Sequence, residues 1–340
     1  MWSKDQDQHH KEKIVTNALN RADASQIMLE DRRQALKAFN ISGAKPLAVG
    51  TEAEIYIWED NTLLKLYADS SRIAYFETLR SFYNNIDTSQ SGLLIPKIHD
   101  ITQHGNIIAT IESRIDGVPF AKLLKGLNKV DHDQAENLFL DTVWKIKSFK
   151  VTKALKTYLL FDQELVSVVS QQSFEIFYAR LLQNKIRKVS QFFEFGFPSF
   201  PQKAAALVSA IRHGHPAELS VVHGDFFPGN VLMDKKMAQA NGIIDFGSFT
   251  LFGNFLIDIS CAFGFYRMYD RDRINIRRQM LPKILHRLTN AEIPVFFQFL
   301  LAHAILTSDL YSSGSDPRDD GHFRWAAEII SDNSYWKQAL

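Results

Sequence analysis

The chain has 340 residues, 46% hydrophobic and 23% charged, a globular composition with material for about two domains or two lobes. Lys plus Arg (39) against Asp plus Glu (38) leaves a net charge of +1, so charge gives no reason to expect nucleic-acid or membrane-surface binding. Cys261 is the single cysteine, which excludes an intramolecular disulfide and a cysteine-built metal site and points to a reducing compartment.

The opening, Met1 to Lys13, is charged rather than apolar, which predicts no secretory leader; its adjacent His9 and His10 read as solvated. Apolar positions from Ile14 to Phe39 recur at helical spacing and predict one or two helices, closed by the turn signals Gly43 and Pro46. Ile55 to Trp58 and Leu63 to Tyr67, separated by Asp60-Asn61, predict a β-hairpin. Asp69 to Ser71 then offers a cap for a helix from Ile73 to Phe82. Ile98 and Ile107 to Ile111 supply further strands around a His104-Gly105-Asn106 turn.

After Gly117-Val118-Pro119 the composition changes. Asp133–Phe149, Gln163–Ser170, Phe174–Ser190 and Pro201–Arg212 are predicted as helices. Ser220–His223, Val231–Asp234 and Gly242–Asp245 form an island of strand character, and helices resume from Phe255. The longest apolar stretch, Phe296 to Leu306, contains Gln298 and His303 and falls short of the ~20 residues of a membrane span, so a cytoplasmic protein is expected.

The chemistry concentrates in His223-Gly224-Asp225-Phe226-Phe227-Pro228-Gly229-Asn230 and in Asp245-Phe246-Gly247. The spacing D-x-x-x-x-N followed by D-F-G is the pattern of a phosphoryl-transfer catalytic loop. Such chemistry needs positioning and neutralised phosphate charge more than covalent help. Asp225 is the candidate acceptor of a hydroxyl proton, and Asn230 and Asp245 supply the hard oxygens that Mg²⁺ prefers. His223 is assigned a structural part, its ring bonding backbone near the D-F-G segment.

These segments resemble the aminoglycoside phosphotransferase and choline kinase-like enzymes, whose pattern is HGD-hydrophobic-x-P-x-N followed by IDF or IDW. The resemblance implies that Asp258, in Gly253-Asn254-Phe255-Leu256-Ile257-Asp258, braces the catalytic loop, although Asn254-Phe255 departs from the family's Asp-Pro. It implies a phosphate-covering loop at Gly50-Thr51 and a phosphate-contacting lysine at Lys65. Glu77, the acidic residue of the following helix, is expected to pair with Lys65. Glu112 to Pro119 resembles the strand-to-hinge passage, so Glu112 and Arg114 are expected to bind adenine through backbone groups.

The implied architecture is a bilobal protein-kinase-like α+β fold with the nucleotide between its lobes. Residues 1–46 would form a helical N-terminal extension, 47–116 a small antiparallel-sheet lobe with one helix, and 117–340 a larger helical lobe. The implied activity is transfer of phosphate from ATP, or GTP in its place, with Mg²⁺, to a hydroxyl of a small molecule: an amino sugar or antibiotic, a choline-like or a homoserine-like compound. No nucleic-acid or membrane partner is expected. An atypical protein kinase is the first alternative, opposed by the missing A-P-E element and the short Asp245-to-Asp258 segment. A nucleotide-binding pseudokinase is the second, opposed by the retention of Lys65, Asp225, Asn230 and Asp245.

Overall fold

A computed structural model describes residues 29–50, 53–151, 157–159, 165–167, 174–214, 218–311 and 316–340. Residues 14–28, His9, His10 and Thr51 lie outside the described residues. In chain order the first elements are a helix over 29–38 (α1), β1 (Ala48–Val49), β2 (Ala53–Ile57), β3 (Thr62–Tyr67), α2 (Ile73–Asn84), β4 (Ile86–Asp87), β5 (Ile98–His104) and β6 (Ile107–Ser113). There follow β7 (Val118–Pro119), α3 (Phe120–Leu123), α4 (Lys129–Ile146), β8 (Lys150–Val151), β9 (Thr157–Leu159), β10 (Leu165–Ser167), α5 (Phe174–Glu194) and α6 (Phe200–Arg212). Last come β11 (Leu219–Val222), β12 (Val231–Met233), β13 (Ala240–Ile243), β14 (Leu251–Asn254), α7 (Leu256–Phe265), α8 (Arg273–Leu285), α9 (Glu292–Thr307), α10 (Gly321–Ser331) and α11 (Asn333–Ala339). Among the described residues no helix is long and apolar enough to cross a membrane.

The fold is the expected α+β one, a small antiparallel-sheet part and a larger helical part. The chain divides into two compact units: residues up to Asn84 with Pro96–Arg114, and Asn85–Ile95 with Ile115–Leu340. This division differs from the expected 1–46, 47–116 and 117–340 at the start of the small lobe and in residues 85–95 within it. The described part of residues 1–46 is no separate extension, because Ala35 and Leu36 of α1 are buried in the sheet's own core. Residues 85–95 belong to the helical unit, held there by Leu94, whose N–H donates to Asn241 O and whose carbonyl accepts from Ile243 N, both at 2.9 Å.

In the sheet unit five antiparallel strands run in the order β1-β2-β3-β6-β5. The hairpin turns are made at Asn61 (φ 62°) and Gly105 (φ 58°), where side chains with little or no Cβ penalty allow the left-handed backbone. Strand alternation sends Tyr56, Leu64, Leu66, Ile107, Ala109 and Ile111 to one face, which α1 covers. Tyr67 points to the other face, where its ring lies 4.3 Å from that of Phe76 on α2. Polar ties hold α1 down: Arg32 Nε donates to Glu54 at 2.5 Å, Arg32 Nη2 donates to the Tyr56 hydroxyl at 2.7 Å, and Asp31 accepts the Asn106 N–H at 2.8 Å.

The helical unit is built around α7 and α9. Every residue from Leu256 to Phe265 is buried, so α7 is enclosed on all sides and reads as a core helix rather than an amphipathic one. Three short strands, β13-β12-β7, and the pair β11-β14 cross this unit as antiparallel ladders. One predicted helix is overturned: within Gln163–Ser170, Leu165–Ser167 is a strand paired antiparallel with Thr157–Leu159. Its β-branched composition (Val166, and Val168 and Val169 beyond) favours the extended backbone over the helical one.

Candidate active site

The segment between β11 and β12 carries the candidate catalytic side chains, and four anchors fix its backbone. Asp258, wholly buried on α7, accepts the N–H of His223 on Oδ2 and of Gly224 on Oδ1, both at 2.8 Å. Burial, reinforced by the charge of Asp225, lifts the Asp258 carboxyl to about 7, against the pull of those two N–H bonds. Thr250 Oγ1 donates to His223 O at 3.0 Å and accepts Gly247 N–H at 2.9 Å, tying the loop to the D-F-G segment. Cys261, one turn beyond Asp258, donates its S–H to Gly224 O at 3.4 Å. Sequence reasoning found Asp258 and missed Thr250 and Cys261. Their signals were positional: Thr250 follows Gly247 at a hydroxyl-turn spacing, and Cys261 is the i+3 neighbour of Asp258 on a helix.

Gly224 has no alternative residue. Its φ is +78°, and a Cβ there would lie 2.0 Å from Phe249 O. His223 has both ring nitrogens occupied: Nε2 donates to Ile244 O at 2.8 Å and Nδ1 accepts the Asp225 N–H at 3.2 Å. Burial holds the imidazole neutral, pushing it down to about 4, against the bond to Ile244 and the charge of Asp245. The ring is therefore a fixed strut rather than a base.

Asp225 is half-buried and faces Asn230, whose Nδ2 donates to Asp225 O at 3.0 Å and to Asp225 Oδ2 at 3.3 Å. The 3-10 turn Pro228–Asn230 bends the chain back to make that contact. Ile244 N–H donates to Asn230 O at 2.9 Å, so the strand leading into Asp245 is bonded directly to the catalytic loop. Asp245 is exposed, with a left-handed backbone at φ 63°, while buried Phe246 packs its ring 4.5 Å from His223. The amide nitrogen of Asn230 is engaged by Asp225. Asn230 Oδ1 and the Asp245 carboxylate are hard oxygen donors, a set that fits a Mg²⁺ ion completed by phosphate and water. Among the described residues no group of three or more His, Cys, Asp or Glu could hold a metal by itself.

In the sheet unit, Lys65 lies buried on β3 and pairs with Glu112 of β6, Nζ to Oε2, at 3.0 Å. The expected Lys65–Glu77 pair is corrected. Glu77 is exposed and pairs with Arg80 at 2.6 Å, because Tyr75, Phe76, Leu79, Phe82 and Tyr83 form the buried face of α2 and Glu77 lies off it. Gly50 donates its N–H to Ala53 O at 2.8 Å in the turn between β1 and β2. In the passage expected to bind adenine, Ser113 N–H donates to Lys97 O at 2.9 Å and Arg114 N–H to Asn61 O at 2.7 Å, so these two amides are already satisfied inside the sheet unit.

A family model described as the phosphotransferase enzyme family matches residues 43–281. No protein of curated function matches the chain. Among solved structures, a thermostable mutant of the aminoglycoside phosphotransferase APH(4)-Ia, in ternary complex with ADP and hygromycin B, is similar at 16% identity and TM-score 0.64, over 90% of this chain and 97% of that one. The aminoglycoside phosphotransferase APH(3'')-Id from Streptomyces rimosus is similar at 15% identity and TM-score 0.53, over 80% of this chain and 96% of that one. A putative fructosamine-3-kinase from Haemophilus somnus is similar at 12% identity and TM-score 0.53, over 92% and 99% respectively. At these identities the likeness is one of fold.

Proposed function

Because the chain belongs to the phosphotransferase enzyme family, we propose that it transfers the terminal phosphoryl group of ATP to a hydroxyl of a small molecule. The observation that carries this reading is the braced loop in which Asp225 and Asn230 face each other and Ile244 is bonded to Asn230 immediately before Asp245. Asp225 accepts the proton of the acceptor hydroxyl as its oxygen attacks phosphorus. The general base in this loop is a carboxylate, since His223 has no free nitrogen. Asn230 and Asp245 would hold Mg²⁺, which neutralises phosphate charge when bound. Lys65 contacts the nucleotide phosphates, and Gly50 and its neighbours cover them.

The acceptor is read from the helical unit. Tyr269 is 65% exposed and its ring edge lies 3.9 Å from where a Cβ on Gly321 would stand. Partial burial first, and then the charges of Asp320 and Asp225, hold the Tyr269 phenol above its ordinary value. An exposed aromatic ring in the field of two carboxylates suits an amine-bearing acceptor through cation–π and charge contacts. Aminoglycosides, such as the hygromycin B bound in one similar structure, and fructosamine, after which another is named, are the first compounds to test, with choline analogues and homoserine as further arms. A coupled ATPase screen with and without Mg²⁺ should show acceptor-dependent ADP release. Absence of release for every hydroxyl compound, alongside phosphorylation of a protein substrate, would favour the protein-kinase alternative.

A further inference from the structure

We infer that Glu112, rather than an acidic residue of the helix packed on the sheet, is the residue that positions Lys65 for the nucleotide phosphates. The inference rests on the phosphotransferase reading and concerns how its lysine is held. In protein kinases the equivalent lysine is held by a glutamate of a mobile helix, and movement of that helix makes or breaks the site. Here α2 has one acidic residue, Glu77, and it is turned to solvent and to Arg80.

The partner comes from the neighbouring strand through register. Lys65 stands opposite Thr110 across the β3–β6 ladder, and Leu63 stands opposite Glu112. Glu112 is therefore the diagonal neighbour of Lys65 on the same face, within reach of a long side chain. One of its oxygens, Oε2, takes the Lys65 ammonium at 3.0 Å, and the other, Oε1, accepts the Thr110 hydroxyl at 2.9 Å. The carboxylate is fixed at both ends, and it is only 2% exposed. A buried carboxylate with no counter-charge would be strongly disfavoured, a cost that the ammonium and the hydroxyl offset.

The consequence is mechanical. Both charges sit on adjacent strands of one hydrogen-bonded sheet, so the lysine keeps its place whatever α2 does. Phosphate capture is preset by the ladder, and displacement of α2 leaves it intact.

The test compares Glu112→Gln with Glu77→Gln in the full chain, on an acceptor found in the screen. Glu112→Gln keeps the shape and the Thr110 bond but removes the charge. It should raise the KM for ATP about tenfold or more while leaving the KM for the acceptor unchanged, a split that a general folding defect would not produce. Glu112→Asp should recover part of the loss, and Glu77→Gln should stay within about twofold of the parent on every parameter. If Glu112→Gln fails to fold, Thr110→Val releases Oε1 with both charges retained and should give an intermediate rise in KM. An acyl-phosphate analogue of ATP, mapped by peptide mass spectrometry, reads the site without turnover. Labelling of Lys65 in the parent that is weakened in Glu112→Gln supports the inference. Equal labelling in both, or an ATP defect confined to Glu77→Gln, overturns it alone, whereas no labelling of Lys65 in the parent overturns the nucleotide-site reading as well.

Discussion

At the scale of single residues, the candidate catalytic loop is held by groups that bond its backbone. Gly224→Ala should be among the most damaging small changes: it forces a left-handed backbone on a residue with a Cβ and drives that Cβ into Phe249 O. The expected outcome is a lowered Tm together with lost turnover, read by calorimetry and a coupled assay. Asp225→Ala should act differently, lowering kcat by about 10²–10⁴-fold, the usual worth of a general base, while ADP affinity stays near that of the parent. Asp245→Ala should abolish the Mg²⁺-dependent increment of nucleotide affinity in titration calorimetry. If Asp225→Ala instead lost nucleotide binding and Asp245→Ala kept its Mg²⁺ dependence, the two roles would have to be exchanged.

At the scale of elements, α1 is structural material of the sheet unit. Leu36 is buried against Leu64, Leu66 and Ile111, and Leu36→Ala should cost about 2–5 kcal/mol, the range for a buried leucine truncated in a core. Urea unfolding that moved by less than a few tenths of that would detach α1 from the core. The sequence pattern announced helices before Phe39 but not what they cover, because helical spacing identifies an apolar stripe and not its partner. The same limit explains the lysine. Glu77 was found by asking which acid lies on the adjacent helix, a local question, whereas Glu112 reaches Lys65 through strand register, set by pairing between segments more than forty positions apart in the chain. The candidate site stood out in the sequence for the opposite reason. Asp225, Asn230 and Asp245 sit within one short run, and its chemistry admits few residue types. β10, within the expected helix Gln163–Ser170, was misread because a short apolar run carries no decisive periodicity.

At the scale of the whole molecule, the buried titratable groups of the helical unit set a pH dependence of stability whose sign can be worked out. His223 and His322 are each pushed down to about 4 and His303 to about 3, with burial the largest cause in every case. The charge of His322 adds to the effect on His303. A histidine whose folded value lies below its unfolded one, about 6.5, contributes stability that is fully present above that pH. It is lost as pH falls, because the unfolded chain takes up the proton first. Asp258 works in the other direction: raised to about 7, it keeps a proton in the folded chain that the unfolded chain releases near its ordinary value. Near pH 5 three histidine protons favour the unfolded state and one aspartate proton the folded state, a net of about two. The unfolding free energy should therefore rise with pH across this window, with a slope on the order of 2–3 kcal/mol per unit. His303→Phe keeps an aromatic ring among Phe249 and Phe265 and removes one proton site. Urea unfolding between about pH 4.5 and 6.5 should then show the slope reduced by about 1.4 kcal/mol per unit, one proton's share. A slope unchanged by His303→Phe would mean that His303 is charged or solvated in the folded protein, and a slope of the opposite sign would mean that Asp258 outweighs all three histidines.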